Sequence, residues 1–219
     1  MSTTDTHPPE VFELAASVAH SLNNVIAVLY AASSHLESAG NPRSLERGSR
    51  AVADACGSAL CLSAALSLFA LPPVGMLSIP SDGQVLHPDD IARISETLET
   101  ATRIKPSLHD LDDKPVKTTL DRDTLQSFLL CAAAVLRRAA GRDAQLHCDV
   151  RRSNDSSGTA GRLEFELYCE GSVAVDSKRA SRDPCELALA YAVTHLPVMD
   201  ARMERSRPEN IRFSVDFTG

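Results

Sequence analysis

With 219 residues, 43% hydrophobic and 23% charged, the chain has material for one folded domain with its own core plus a smaller helical unit, and a mainly disordered protein is excluded. A formal net charge of −7, no tryptophan and no cluster of basic residues exclude nucleic acid as the main partner and favour another protein. The six cysteines (Cys56, Cys61, Cys131, Cys148, Cys169, Cys185) contain no C-x-x-C pair and sit mostly among apolar neighbours, so they read as small buried residues of a reducing compartment, without disulfides or zinc.

Residues 1–9 are polar, carry Asp5 and lack a basic-then-apolar pattern, so no signal peptide is visible and a cytoplasmic location is expected. From Pro9 to Ala39 there is no internal proline or glycine. Apolar or small residues recur at Val11, Ala15, Val18, Leu22, Val25, Leu29 and Leu36, the seam of a helix, and Phe12, Ala19 and Ile26, spaced seven apart, widen it. Gly40-Asn41-Pro42 breaks this helix. A second should run from Ser44 to Leu71, with its seam at Leu45, Val52, Ala55, Ala59, Leu62, Leu66 and Phe69. The uncharged stretch Ala55–Leu71 is 17 residues of mostly small side chains ending at Pro72-Pro73, too short for a membrane span of about 20 strongly apolar residues. A short turn makes the two helices a hairpin. Its stripe is too broad for one partner, so a second copy completing a four-helix bundle across a twofold axis, a homodimer, is expected.

Pro72, Pro73, Gly75 and 80–83 mark a connector, placing the hairpin at 10–72, a linker at 73–83 and a second unit at 84–219. That unit reads as strand Val85-Leu86, helix Pro88–Ile104, strand Val116–Leu120 and helix Arg122–Ala140 closed by Gly141. Strands Gln145–Arg151 and Arg162–Tyr168 follow, joined by the polar loop Ser153–Gly158, then a helix Pro184–Leu196 and strands Ala201–Arg205 and Ile211–Phe217. The fold class is α+β: a helical hairpin followed by a sandwich with helices on one face of a mixed sheet.

At about 100° per residue, His20 lies roughly 200° from Val18 and 160° from Leu22, on the wet side of the first helix, and Asn24 shares that face. Ala16, Ala27 and Ala31 leave room around it. A lone helical histidine is usually a solvated or carbonyl-bonded residue, and Asn24 is equally well an ordinary polar residue; context must decide. Here the segment Ala19-His20-Ser21-Leu22-Asn23-Asn24 resembles the phosphoacceptor box of bacterial histidine kinases and of the dimeric histidine phosphotransferases derived from them. The resemblance implies that His20 accepts a phosphoryl group and that Asn24 orients the reacting groups.

The resemblance continues into the ATP-binding part, where the departures are informative. The Asp-x-Asp-x-Leu run is Asp121-Arg122-Asp123-Thr124-Leu125, and the essential metal-binding asparagine falls on Val135, which cannot ligate Mg²⁺. The Asp-x-Gly-x-Gly motif aligns with Cys169-Glu170-Gly171-Ser172-Val173, so the adenine-reading aspartate is a cysteine. The glycine-rich turn before the last helix is Cys185-Glu186-Leu187-Ala188-Leu189, with no glycine. Ser21 stands where the kinases carry an acidic residue. A degenerate ATPase-like domain is therefore implied: a phosphotransferase without ATP-dependent kinase activity, relaying phosphate between receiver-domain aspartates through His20. It would bind no cofactor itself, Mg²⁺ being held by the partner receiver, and its partners would be response-regulator receivers and a hybrid histidine kinase. The competing readings are a docking module that regulates a kinase or receiver without carrying phosphate, and an active kinase with unusual ATP contacts. His7, His35, His87, His109, His147 and His195 share no face or metal spacing and receive no role.

Overall fold

Helix α1 (Pro9–Glu37) and helix α2 (Pro42–Phe69) form the hairpin, in a computed structural model that describes residues 9–37, 42–72, 83–109, 114–140, 144–154, 160–170, 183–207 and 209–218. The expected turn at Gly40-Asn41 and the linker at 73–82 lie outside the described residues. Pro42 does not break the chain. It opens α2, because the first helical position has no intrahelical use for an N–H and favours a preset φ.

The seam is narrower than its apolar residues. Val25 and Ala32 of α1 and Ala55 and Leu62 of α2 are buried, whereas Leu22 (46%), Ile26 (55%), Leu45 (54%) and Leu66 (48%) keep about half their surface open. One antiparallel neighbour covers only one side of a stripe this broad. By length and mean hydropathy alone the segments Ala15–Leu36 and Pro42–Phe69 are each long and apolar enough to cross a membrane, a test that the core helix of a soluble protein also passes. In α2, however, Ala64, Ala65 and Leu68 are enclosed by protein.

The rest of the chain runs β1 (Gln84–Leu86), α3 (Pro88–Thr102), β2 (Pro106–His109), β3 (Val116–Thr118), α4 (Arg122–Ala139), β4 (Gln145–Asn154), β5 (Ala160–Glu170), α5 (Pro184–Ala192), a 3₁₀ turn (Val193–Met199), β6 (Ala201–Arg207) and β7 (Asn210–Thr218). The sheet order is β1-β3-β7-β5-β4-β2. Strand β6 lies along β7 on the edge that β3 touches only at Lys117–Thr218. Only β2–β4 is parallel among the described pairs, so the sheet is mixed.

Strand alternation assigns the faces. Cys148 and Val150, Leu163, Phe165 and Leu167, and Ile211, Phe213 and Val215 point into the core, while the intervening Asp149, Glu164, Glu166 and Arg212 carry charge and Ser214 is a buried hydroxyl. Helix α4 is buried on nearly every side from Leu125 to Leu136, as expected of a helix with protein both above and below it. The sheet covers one side, where Phe128 stacks on Phe213 (centroids 5.1 Å apart). The second half of α2 covers the other, so Cys61, Ala64, Ala65 and Leu68 belong to the same core as the sheet.

Three local differences from the sequence reading have physical causes. The strand Pro106–His109 was not expected: it is a short edge strand that begins on a proline and shows no alternation. The last helix ends at Ala192 and tightens into a 3₁₀ turn, since Pro197 cannot donate to the ladder and disfavours α geometry before it. Strands β4 and β5 extend beyond their expected ends, with Ser153 and Asn154 paired to Arg162 and Gly161 instead of starting a loop.

Candidate functional site

Helix α1 divides into three faces. Val25 and Ala32 point at α2, Leu22 and Ile26 are left open, and His20 and Asn24 stand in solvent on the far side. One turn separates His20 from Asn24, and the Asn24 Nδ2 lies 3.4 Å from the His20 Nε2. Ala16, Ala27 and Ala31 are exposed beside them, so no bulky side chain overhangs the imidazole on its own helix. The two residues singled out in the sequence therefore meet.

Asn24 also forms part of the wall of an open cleft of about 420 Å³ between the hairpin and the sandwich. Val25 and Val28 of α1, Ala55 and Leu62 of α2, and Arg103, Arg137 and Cys185 from the ends of α3, α4 and α5 line it too. Arg103 takes a left-handed backbone conformation (φ 60°) at the C-cap of α3, a position glycine usually fills, and its guanidinium meets Asp54 at 2.6 Å. Arg138 pairs with Asp183, which also caps α5 by accepting from the Cys185 N–H at 2.8 Å.

The positions aligned with an ATP site are filled by packing. Val135 and Cys169 are buried, and Cys185 is 1% exposed. Cys185 Sγ donates to the Cys61 carbonyl (3.6 Å), joining α5 to α2, and a Cys131–Cys185 thiol contact joins α4 to them. Burial, and secondarily Cys185, pushes the Cys61 thiol up to about 12, and the contact with Cys185 together with burial raises Cys131 well above its ordinary value. These thiols are held protonated and act as packing groups. The Asp121–Leu125 run serves the fold: the Asp121 carboxylate accepts from the Thr124 N–H at 2.8 Å and caps α4. Gly171, Ser172 and Val173 lie outside the described residues.

Two features were missed in the sequence. His195, given no role there, is buried with its Nε2 2.6 Å from the Pro72 carbonyl, while Tyr191 donates to the Leu71 carbonyl at 3.3 Å and stacks on Phe69. The end of α2 is thereby tied to the α5 region. The cleft was the other; its only sequence signal was the Arg137-Arg138 pair at the end of α4, which reads equally well as cations complementing a helix C-terminus.

No family profile and no curated protein sequence matches the chain. Among solved structures it is similar to a bacterial phosphotransferase (13% identity, covering 98% of this chain and 97% of that one, TM-score 0.49). It is also similar to the histidine kinase AdeS of Acinetobacter baumannii (13%, 91% and 97%, 0.45) and to the histidine kinase domain of the blue-light activated kinase EL346 of Erythrobacter litoralis (12%, 88% and 95%, 0.43). These neighbours are phosphotransferase and histidine-kinase domains.

Proposed function

We propose that this chain is a dimeric histidine phosphotransferase that relays a phosphoryl group between receiver-domain aspartates through His20. The observation that carries this reading is the solvent-exposed His20 on a long helix, with the Asn24 amide 3.4 Å from its Nε2 and small residues around it. A ring nitrogen of neutral imidazole attacks the phosphorus of an aspartyl phosphate, an N–P bond forms, the acyl P–O bond breaks, and the partner's aspartate leaves as a carboxylate. Attack by a second receiver's aspartate reverses these bond changes and regenerates the imidazole. The helix supplies position, and the receiver's acidic site supplies the Mg²⁺ that neutralises charge on the transferring group.

The absence of ATP-dependent kinase activity belongs to the same proposal. Its support is the aliphatic Val135 at the metal-ligand position and the thiols of Cys169 and Cys185 at positions that would otherwise contact nucleotide, all buried in the core. The homodimer is supported by Leu22, Ile26, Leu45 and Leu66, exposed on the hairpin. A cytoplasmic protein with response regulators and a hybrid kinase as partners completes the reading. Its test is to mix the purified chain with phosphorylated receiver domains from the same cell. Label is expected on His20, acid-labile and base-stable, and it should leave when an unphosphorylated second receiver is added. Label arriving from ATP alone, or none arriving from any receiver, overturns the assignment.

A further inference from the structure

The cleft beside Asn24 has a charge opposite in sign to that of the molecule. The chain carries a net charge of −7, yet the residues forming the cleft include Arg103, Arg137 and Arg138 against a single carboxylate, Asp54. Asp54 is engaged by Arg103, and Arg138 by Asp183 from behind, whereas no ion pair involves Arg137 among the described residues. The Arg137 guanidinium is thus left over among the residues that line the cleft. The floor is apolar, built from the buried Val25 and Leu62, with Val28 and Ala134 beside them. Val135 and Cys169, which align with metal and adenine contacts, do not line it, although Cys185, at the start of α5, does.

We infer that this cleft binds a small organic anion with an apolar body, whose carboxylate or phosphate head is held by Arg137 and the Asn24 amide while the body lies on Val25 and Leu62. The volume of about 420 Å³ is in the range of small-molecule sites, roughly 300–1,000 Å³. A guanidinium with no carboxylate of its own gains a charge-assisted pair when such a head arrives. The Arg103 guanidinium is paired with Asp54, which offsets the charge of that carboxylate toward an anionic ligand. Because Asn24 faces both the cleft and His20, an occupant that takes its amide withdraws it from the imidazole. The inference does not depend on His20 being phosphorylated.

The test is a methyl NMR titration of the full-length protein with 2-naphthoate as the probe. Saturable shifts are expected at Val25, Val28 and Leu62. Arg137→Gln, and replacement of the probe by neutral 2-naphthamide, should each weaken binding by about tenfold or more, the scale of a charged hydrogen bond. Ala134→Phe, which fills the cleft without altering its charge, should block binding while leaving the remaining spectrum in place. The inference is overturned if no saturable shift appears at millimolar probe, if the amide binds as tightly as the acid, or if the shifts fall on Leu22, Ile26 and Leu66 of the open hairpin face. Inorganic phosphate binding as tightly as naphthoate would also sink it, because the apolar floor would then contribute nothing.

Discussion

The Asn24 side-chain nitrogen lies 3.4 Å from Nε2 of His20, one turn earlier on α1. An amide nitrogen only donates, so as a hydrogen bond this contact uses the Nε2 lone pair, which Asn24 must release before that nitrogen can attack phosphorus. His20→Gln is expected to abolish transfer from a phosphorylated receiver while changing stability by less than about 0.5 kcal/mol, since the side chain is exposed. Asn24→Ala should slow transfer only about two- to tenfold, the worth of one hydrogen bond. Rapid-quench measurement of label on the protein checks both. A regulatory function that survives His20→Ala would instead favour the docking-module reading.

Cys56 is exposed, whereas the other five cysteines are buried. At about 100° per residue it lies roughly 20° round α2 from Leu45 and about 40° from Leu60, inside the open apolar stripe. If a second copy covers that stripe, alkylation of Cys56 by iodoacetamide slows as protein concentration rises, and the buried thiols react only on unfolding. A rate unchanged from nanomolar to high micromolar protein would contradict dimerisation through this face.

Gly57 of α2 sits against the end of α3, where an added Cβ would lie 2.2 Å from the Ala101 carbonyl oxygen. That neighbour is backbone and cannot rotate away. Gly57→Ala is therefore expected to lower stability by about 1–3 kcal/mol, the cost of overpacking, despite alanine's better helix propensity. Denaturant midpoints with an unchanged slope would report it.

The Glu166 carboxyl is held below its ordinary pKa, chiefly by the hydrogen bond from Asn210 (2.9 Å), with Arg212 adding to it. A depressed folded-state value means that the stabilisation is present above the unfolded-state pKa and is lost as pH falls through the folded one. Glu166→Gln should thus cost up to about 1 kcal/mol at neutral pH, screened by solvent, and nothing once the carboxyl is protonated in both states. Urea titrations of the two proteins at neutral and strongly acidic pH should diverge in the first and converge in the second.

The sequence made some of this legible because periodicity is a local signal. Val25, Ala55 and Leu62 follow helical spacing, and Leu163, Phe165 and Leu167 alternate, so the hairpin and the long strands could be located. Period alone does not say how many neighbours cover a stripe, which is why Leu22 and Ile26 were grouped with Val25 although they end up in different surroundings. β2 escaped because parallel pairing with β4 is a long-range property that Pro106–His109 does not encode. His20 and Asn24 were found because one helical turn brings them together. The cleft was not, because its walls come from residues between 21 and 185 on five helices, and no spacing rule links Asn24 to Arg137.

Helix α2 is paired with α1 along one side, and its second half forms the roof over α4, with Ala65 and Leu68 fully enclosed there. Excising the hairpin would therefore strip the top of α4 and remove Cys61, Ala64, Ala65 and Leu68 from the core they share with it. A fragment beginning at residue 83 would lack part of the apolar core it needs to fold autonomously, and any attempt to express the sandwich alone should retain α2 from about Cys56 onward.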